Sequence, residues 1–175
     1  MNGELTLKRI ERRNLQLLMH QRNKKEIMRW CRQNKLLSIY DQEKWYEKIN
    51  TDPSIEMFLI YYNTSFRENY DVGVCGLTSI DHINRRAEFS LYIYPEKQGK
   101  GLGQEALKNL FCFGFNSLNL NIIWGETFDK NPAEKLFTKI GMQKEGTRRQ
   151  FYYKEGQYID AHLYSVTRDE FFKSF

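Results

Sequence analysis

The chain has 175 residues, of which 41% are hydrophobic and 15% aromatic. This composition excludes a disordered chain and predicts one domain, residues 1–175, with a substantial core. Its 27 lysine and arginine residues exceed its 22 aspartate and glutamate residues by a formal net charge of +5, a dispersed excess that favours an acidic small ligand over nucleic acid. The three cysteines lack C-x-x-C spacing, and no apolar run is long enough to span a bilayer, so we expect a cytoplasmic protein without a membrane partner.

Two hydrophobic periodicities divide the chain. Alternating or β-branched runs predict strands, and apolar residues three and four positions apart predict helices. An antiparallel meander followed by strand–helix–strand–helix order predicts a mixed α/β sheet with helices on its faces. The predicted strands are 5–10, 55–62, 72–80, 86–94, 121–128, 151–153 and 158–166. The predicted helices are 12–23, 25–31, 42–50, 102–116 and a last one that follows a cap at Asn131 or Asp129 and runs to Ile140.

Turn and capping residues mark the ends of these elements. Asp41 is the predicted N-cap of helix 42–50, and Gly141 is the predicted end of the last helix. The polar span 63–69 predicts a hairpin loop, and the stretch 154–157 predicts a tight hairpin turn. Gly73 and Gly76 predict bulges or close backbone contacts within strand 72–80. In strand 86–94, one face holds Phe89, Leu91 and Ile93, and the other holds Glu88, Ser90, Tyr92 and Tyr94.

Three glycines in six residues, Gly99, Gly101 and Gly103, stand between strand 86–94 and helix 102–116. Glycine lets the backbone approach a ligand closely, and backbone N–H groups at a helix start, with Lys100 beside them, favour an anion such as a pyrophosphate. The spacing is neither G-x-x-x-x-G-K-[ST] nor G-x-G-x-x-G. A glycine-rich turn that binds nothing is the structural alternative.

The stretch Gln98-Gly99-Lys100-Gly101-Leu102-Gly103 resembles the acetyl-CoA pyrophosphate loop of the GNAT N-acetyltransferases. Residues 131–142 resemble the Asn-x-x-Ala…Lys-x-Gly-Phe helix of that family, and residues 156–164 resemble the terminal hairpin of its spermidine and ribosomal-protein branch. The resemblance implies a GNAT fold. That fold is a mixed, mostly antiparallel seven-stranded sheet, splayed between strands 4 and 5 and flanked by about four helices.

The resemblance also implies acetyl-CoA as co-substrate and a set of residues that bind it. Backbone groups of Leu91, Tyr92 and Ile93 would meet the pantetheine amides and the acetyl carbonyl. A splayed strand leaves N–H groups unpaired, and one of these can stabilise the oxyanion that forms during acyl transfer. The implied pyrophosphate residues are Gln98, Gly99, Lys100, Gly101, Leu102, Gly103 and Gln104, and Asn131 would bind near the coenzyme's arm.

Amine acetylation requires a neutral amine, so a base must remove its proton. Glu88 is the first candidate, because it lies on the strand beside the implied acetyl site, and Glu126 is the second. Ion pairing with Arg85, Arg86 or another surface charge is the structural alternative for Glu88. A helix-end or sheet-edge charge is the alternative for Glu126.

Phe137 stands where many GNAT members have a tyrosine that protonates the leaving thiolate. Phenylalanine cannot donate a proton, so either another tyrosine does so or the thiolate leaves unassisted, since thiols have pKa values near 8.5. Tyr164 is the predicted substitute, with Tyr152 and Tyr92 as further candidates. Each of the three also fits a half-buried aromatic residue of the sheet.

Arg22, Glu26 and Trp30 lie in the segment that walls the acceptor cleft in GNAT folds, and they are the predicted acceptor-binding residues. Arg22 with Trp30 would suit a phosphate and a ring, although charges around a core tryptophan fit equally well. His20 and His162 have no partners at ligand spacing, so no metal is predicted.

The sequence therefore predicts an N-acetyltransferase that transfers acetyl directly to a primary amine. The candidate acceptors are a small molecule, either an amino-sugar nucleotide or a polyamine, and a protein N-terminus. The main alternative is a non-catalytic acyl-CoA-binding module, which Phe137 would favour. A nucleic-acid binder rests only on the net charge and the aromatic content. Exposed sheet edges pair readily, so homo-oligomerisation stays open.

Overall fold

The computed structural model describes residues 3–64 and 70–174, and these residues are built around one seven-stranded sheet. Helices cover both of its faces, as the periodicities predict. The strands are β1 (Gly3–Arg9), β2 (Glu56–Thr64), β3 (Tyr70–Asp81), β4 (Arg86–Ile93), β5 (Ile122–Phe128), β6 (Gln143–Lys154) and β7 (Gln157–Thr167). The helices are α1 (Leu15–Arg22), α2 (Lys25–Met28), α3 (Ile39–Thr51), α4 (Leu102–Asn116), α5 (Glu134–Lys139) and α6 (Arg168–Lys173).

The strand order is β1-β2-β3-β4-β5-β7-β6, and β4–β5 is its parallel pair. The β4–β5 ladder joins Arg86 to Ile122, Ala87 to Ile123 and Glu88 to Trp124. Beyond Glu88, no further pair joins these two strands within the described chain. The predicted mixed sheet and the implied splay between strands 4 and 5 are therefore confirmed, and we call the point of separation the fork.

The Phe89 side chain of β4 packs over Gly125 of β5 at the fork. A Cβ built on Gly125 of β5 would stand 2.3 Å from Cε1 of Phe89, so any larger residue at position 125 would displace that ring. The ring also packs edge-on against Phe111 of α4, at 5.6 Å between centroids, and against Phe137 of α5, at 5.1 Å. Strand β4, helix α4 and helix α5 therefore share one core beneath the fork.

The two predicted faces of β4 enter two different cores. Phe89 and Ile93 lie in the larger core with α4 and α6, whereas Tyr94 lies in the smaller core with α1 and α3. The alternation predicted for this strand is confirmed. Fully buried side chains of the larger core include Ile60, Leu77, Leu107, Leu110, Phe111, Phe115 and Ile123.

Helix α3 begins earlier than its predicted cap. Ser38 is the N-cap, because its hydroxyl accepts from the Asp41 N–H at 3.2 Å. The Asp41 carboxylate in turn accepts from the Ser38 N–H at 2.8 Å. The prediction of Asp41 as N-cap was therefore wrong by three residues. Asp41 is the third helical residue of a capping box, where a carboxylate also favours the helix dipole.

The glycine predictions in β3 and the hairpin prediction are confirmed. Val72, next to Gly73, is left unpaired where the β2–β3 register shifts. A Cβ on Gly76 would stand 2.4 Å from the Glu56 carbonyl oxygen. The β6–β7 turn places Glu155 and Gly156 at φ values of +48° and +87°, as a two-residue hairpin turn requires.

Several element bounds differ from prediction. Helix α2 ends at Met28, α5 begins at Glu134 with Ala133 rather than Asn131 or Asp129 as its N-cap, and β6 begins at Gln143. With α6 directly after β7, the described residues hold six α-helices where the resemblance implied about four. The polar run that forms the first half of β6 carries no alternation, because this edge strand is largely exposed. Of the predicted loop 63–69, residues 65–69 lie outside the described residues. In the described ranges, no helix has the length and apolar character needed to cross a membrane.

Candidate active site

A cavity of about 510 Å³ opens at the fork, between β4, the glycine-rich loop and the start of α5. Most of the residues implied to bind coenzyme line it, although they come from three separate stretches of chain. Lys100 is the exception, since its side chain is exposed and does not line the cavity. The lining members of the implied set are Leu91, Tyr92, Ile93, Gln98, Gly99, Gly101, Leu102, Gly103, Gln104 and Asn131.

The glycine-rich loop presents bare backbone to this cavity. Gly99 and Gly101 have φ values of +74° and +78°, and a Cβ built on either would meet no atom within 4 Å. The backbone N–H groups of residues 99–103 donate to no acceptor in the described ranges. They stand at the N-terminus of α4, where the helix dipole favours negative charge. The loop therefore fits an anion as large as a pyrophosphate.

Strand β4 forms a second wall. Beyond Glu88 it keeps its pairing with β3 and has no pair on the β5 side, so the backbone polar groups on that side face the cavity. The Gln98 side chain donates from Nε2 to the Ile93 carbonyl at 2.9 Å, which ties the loop to the end of the strand. Such an edge can hydrogen-bond an extended chain of amides, as an added strand would.

The start of α5 forms the third wall. Asn131 accepts the Ala133 N–H through Oδ1 at 3.0 Å, which leaves its side-chain amide N–H groups for a ligand. Sequence reasoning missed three lysines that also line the cavity, Lys97, Lys135 and Lys139. The spacing of four between Lys135 and Lys139 places both on one face of a helix and could have indicated them.

The two predicted carboxylates meet on one face of the sheet at the fork. Glu88 is the last β4 residue paired with β5, and Glu126 lies two residues beyond its partner Trp124. Arg32, from the loop after α2, hydrogen-bonds Glu88 and also reaches Glu126, with Nη2 at 2.8 Å from Oε1. Sequence reasoning missed Arg32, and Glu88 pairs with it rather than with Arg85 or Arg86.

Glu126 is held on both of its oxygens. Arg148 lies 3.0 Å from Oε2, and the Tyr152 hydroxyl donates to Oε1 beside Arg32. Its side chain is only 3% exposed, so it is not a sheet-edge charge. Burial and the Glu126 hydrogen bond raise the pKa of Tyr152 to about 12. Burial alone would lower the pKa of Arg32, but the hydrogen bond to Glu88 and both carboxylate charges raise it.

Two of the three predicted acceptor-binding residues, Glu26 and Trp30, line the cavity. Arg22 does not line it, but its guanidinium stacks on the Tyr92 ring at 5.2 Å and donates to Gln33 at 3.2 Å and to the Cys31 sulfur at 3.4 Å. Arg22 therefore contacts residues of this wall from outside the cavity.

Residues 4–143 match the family model of the GNAT acetyltransferase domain. The chain belongs to the GNAT acetyltransferases. It is 30% identical over 169 residues to the Bacillus licheniformis protein named uncharacterized N-acetyltransferase p20, with 95% of this chain and 94% of that protein covered. It is also 30% identical over 162 residues to spermidine N(1)-acetyltransferase of Vibrio cholerae, with coverages of 92% and 91%.

A solved structure of Vibrio cholerae spermidine N-acetyltransferase, in complex with CoA and spermine, superposes on this GNAT chain with a TM-score of 0.89. The two chains are 27% identical, and the match covers 96% of this chain and 98% of the other. The fold and the family implied by the glycine-rich loop are thus confirmed. The chain is an N-acetyltransferase.

In this GNAT chain, Phe137, which the resemblance aligns with a family tyrosine, is buried, and its ring packs against Tyr164 at 5.4 Å. The Tyr164 hydroxyl donates to Glu134 at 3.3 Å and does not line the cavity. Burial, together with the Glu134 carboxylate, raises the pKa of Tyr164. The structure therefore places Tyr164 beside Phe137, with its hydroxyl engaged by a carboxylate.

The structure gives His162 two partners that the sequence spacing did not predict. Its Nδ1 lies 2.5 Å from Glu134, and its Nε2 lies 3.7 Å from Asp129. These three side chains offer ligand atoms within 4.8 Å of one another. Each imidazole nitrogen of His162 therefore has a carboxylate beside it.

Proposed function

We propose that this N-acetyltransferase takes acetyl-CoA as co-substrate and transfers the acetyl group directly to a primary amine of a small molecule or a protein N-terminus. The observation that carries the proposal is the cavity at the fork, where unpaired backbone, a glycine-rich loop and a free asparagine amide converge. A CoA-bound relative of the same fold supports the same choice of co-substrate.

The coenzyme would lie along the three walls of the cavity. The free N–H groups of residues 99–103 would bind the pyrophosphate, and Lys97, Lys135 and Lys139 would balance the phosphate charge. The unpaired edge of β4 from Leu91 to Ile93 would hydrogen-bond the pantetheine amides, with the Asn131 amide opposite. This placement would bring the thioester to the fork, where Glu88 is the last β4 residue paired with β5. The Glu88 side chain itself does not line the cavity.

The acceptor amine would attack the thioester carbonyl carbon, and a C–N bond forms as the carbonyl oxygen becomes an oxyanion. An unpaired N–H of β4 would stabilise that oxyanion. Collapse breaks the C–S bond and releases the coenzyme thiolate, while the amine nitrogen loses a proton. Glu88 would accept that proton directly or through water, because its described hydrogen bond uses Oε1 and leaves Oε2 for the acceptor.

The thiolate would leave without a tyrosine donor. A proton donor works best when its pKa is close to that of the group it protonates, about 8.5 for a thiol. Burial raises the pKa values of Tyr92, Tyr152 and Tyr164 instead. Because the thiol of coenzyme A has an ordinary acidity, its thiolate is an adequate leaving group without a proton donor. The presence of Phe137 in place of a tyrosine should therefore lower the rate little.

The test is thiol release from acetyl-CoA with a panel of amines, together with mass spectrometry of the acetylated product. The panel holds simple amines, polyamines, a nucleotide-linked amino sugar and a short peptide. We expect turnover of one acceptor class, and Glu88→Gln should lower kcat by about a hundredfold without changing acetyl-CoA affinity. Tight coenzyme binding with no turnover of any amine would instead support the acyl-CoA-binding alternative.

A further inference from the structure

The carboxylates at the fork are already paired with cations from the chain itself. Arg32 reaches both Glu88 and Glu126, and Arg148 takes the second oxygen of Glu126. Two carboxylates and two guanidinium groups therefore share this cluster, so its net charge is zero. The Arg32 side chain is 50% exposed, whereas Glu88 and Glu126 are 13% and 3% exposed. Arg32 thus covers the carboxylates from the solvent side.

The loop that carries Arg32 is anchored on both sides of it. Lys154 of β6 donates to the Gln33 carbonyl at 2.5 Å and to the Met28 carbonyl at 3.4 Å. The Gln33 side chain donates to the Asn23 side chain at 3.2 Å, and Asn23 holds both the N–H and the carbonyl of Leu37 at 2.8 Å. The backbone on either side of Arg32 is therefore held in place by hydrogen bonds.

An acceptor with several ammonium groups needs a carboxylate for each cation that it buries. If Glu88 receives the reacting amine, Glu126 is the adjacent carboxylate for a second ammonium, and Arg32, Arg148 and Tyr152 already occupy its two oxygens. A second ammonium would also lie against the Arg32 charge. A neutral or anionic group in the same place neither needs a free carboxylate nor is repelled by Arg32.

Resting on the proposed function, we propose that Arg32 is a specificity-determining residue. Its guanidinium fills the subsite for a second cation, so the enzyme acetylates amines whose reacting nitrogen is their only cation and discriminates against polyamines. Nucleotide-linked amino sugars and protein N-termini share this chemistry.

The test uses probes that differ by one amine. Butylamine and 1,4-diaminobutane have the same carbon chain, and spermidine extends the series. In the wild-type protein, we expect kcat/KM for butylamine to exceed that for 1,4-diaminobutane by about tenfold or more. Arg32→Gln should reduce this preference by about tenfold or more, mainly by lowering KM for the diamine. Arg32→Lys keeps the cation and should keep the preference.

Lys35→Gln is the matched control. It removes one positive charge from the same loop, where Lys35 pairs with Asp41 at 2.9 Å and not with either fork carboxylate, and it should leave the preference unchanged. Assays with the nucleotide-linked amino sugar and with the short peptide then show which of these two acceptor classes the enzyme acetylates.

Wild-type preference for 1,4-diaminobutane or spermidine would overturn the inference and leave the proposed function standing, and this measurement does not depend on whether the variants fold. A preference that Arg32→Gln does not alter would also overturn the inference. Absence of turnover on every amine would overturn the proposed function and the inference together.

Discussion

Glu88 and Glu126 carry the same functional group at the same fork, but their surroundings differ. Both oxygens of Glu126 are held, by Arg148 on one and by Arg32 and Tyr152 on the other. Glu88 shares one oxygen with Arg32 and keeps the other for an incoming group. A proton acceptor needs a free lone pair directed at the substrate. We therefore propose that Glu88 accepts the proton and that Glu126 holds Arg32 and Arg148 in place.

Tyr164 stays the predicted substitute for the missing family tyrosine, but its contacts favour a structural role. Its ring packs on Phe137, and its hydroxyl donates to Glu134, which also holds His162. A hydroxyl that donates to a carboxylate loses that bond when it protonates something else. Its raised pKa further weakens it as a proton donor toward a thiolate.

The variant Tyr164→Phe tests this assignment. We expect kcat to change by less than about threefold, because the hydroxyl takes no part in thiolate departure, and the free energy of unfolding to fall by about 1 kcal/mol for the lost hydrogen bond. Steady-state kinetics and urea unfolding measure the two quantities. A fall in kcat of about a hundredfold with unchanged stability would instead make Tyr164 the general acid.

Among the elements, the glycine-rich loop and the β4 edge depend on each other. Gln98 ties the loop to the last residue of β4, and Gly103 lets the start of α4 approach Leu136, where a Cβ would stand 3.3 Å from Cδ2. The bare backbone at Gly99 and Gly101 is therefore held at a fixed place beside the unpaired edge. A coenzyme bound across both would meet a preformed surface.

The variants Gly101→Ala and Gly156→Ala together distinguish the loss of stability that a left-handed backbone imposes on alanine from a loss of coenzyme binding. Gly101 and Gly156 both have positive φ, +78° and +87°, and at both a Cβ would stand in open space. Each alanine variant should lose about 1 kcal/mol of unfolding free energy from the left-handed backbone. Only Gly101→Ala places a methyl group against the pyrophosphate, so only it should raise the Kd for acetyl-CoA, by about tenfold.

Gly156→Ala is the control, because Gly156 lies in the β6–β7 turn and does not line the cavity. Calorimetric titration with coenzyme A measures both affinities. Equal affinities in the two variants would mean that the loop does not bind the pyrophosphate.

For the whole molecule, local pattern predicted most of the strands and helices, but it missed α6 and the first half of β6. Helix α4 has the predicted first and last residues, because its apolar period is strong and a glycine precedes it. The residues implied to bind coenzyme come from only three stretches, 91–93, 98–104 and Asn131, so the motifs that suggested them also place most of them at one cavity. Helix α3 shows the limit of such patterns, since Ser38 and Asp41 are both good caps three residues apart.

The acceptor side could not be predicted in this way. Arg32 meets Glu88 across 56 residues, and Lys154 meets Gln33 across 121. No periodicity or spacing in the sequence predicts such pairs. They form only because the sheet brings distant segments of the chain together. The same holds for His162, whose partner Glu134 lies 28 residues away.

The distribution of carboxylates over the molecule predicts how its stability depends on pH. Hydrogen bonds with Ser38 and Lys35 hold the pKa of Asp41 well below its usual range. Hydrogen bonds with Thr167 lower the pKa of Glu170 in the corresponding cap of α6. The pKa values of Asp52, Asp81 and Glu96 are also lowered, chiefly by hydrogen bonds to backbone or side-chain groups. The pKa of Asp71 shifts in the opposite direction, because burial raises it.

A group with a lowered folded-state pKa stabilises the fold fully above its unfolded pKa, near 4 for these carboxylates, and loses that contribution as pH falls toward the folded value. We therefore expect the free energy of unfolding to fall as pH drops below about 4. Asp41→Asn should lower stability at pH 7 and flatten this acid limb, since the amide does not titrate. Urea unfolding at several pH values measures the slope. An acid limb as steep in Asp41→Asn as in the wild type would refute the assignment to the α3 capping box.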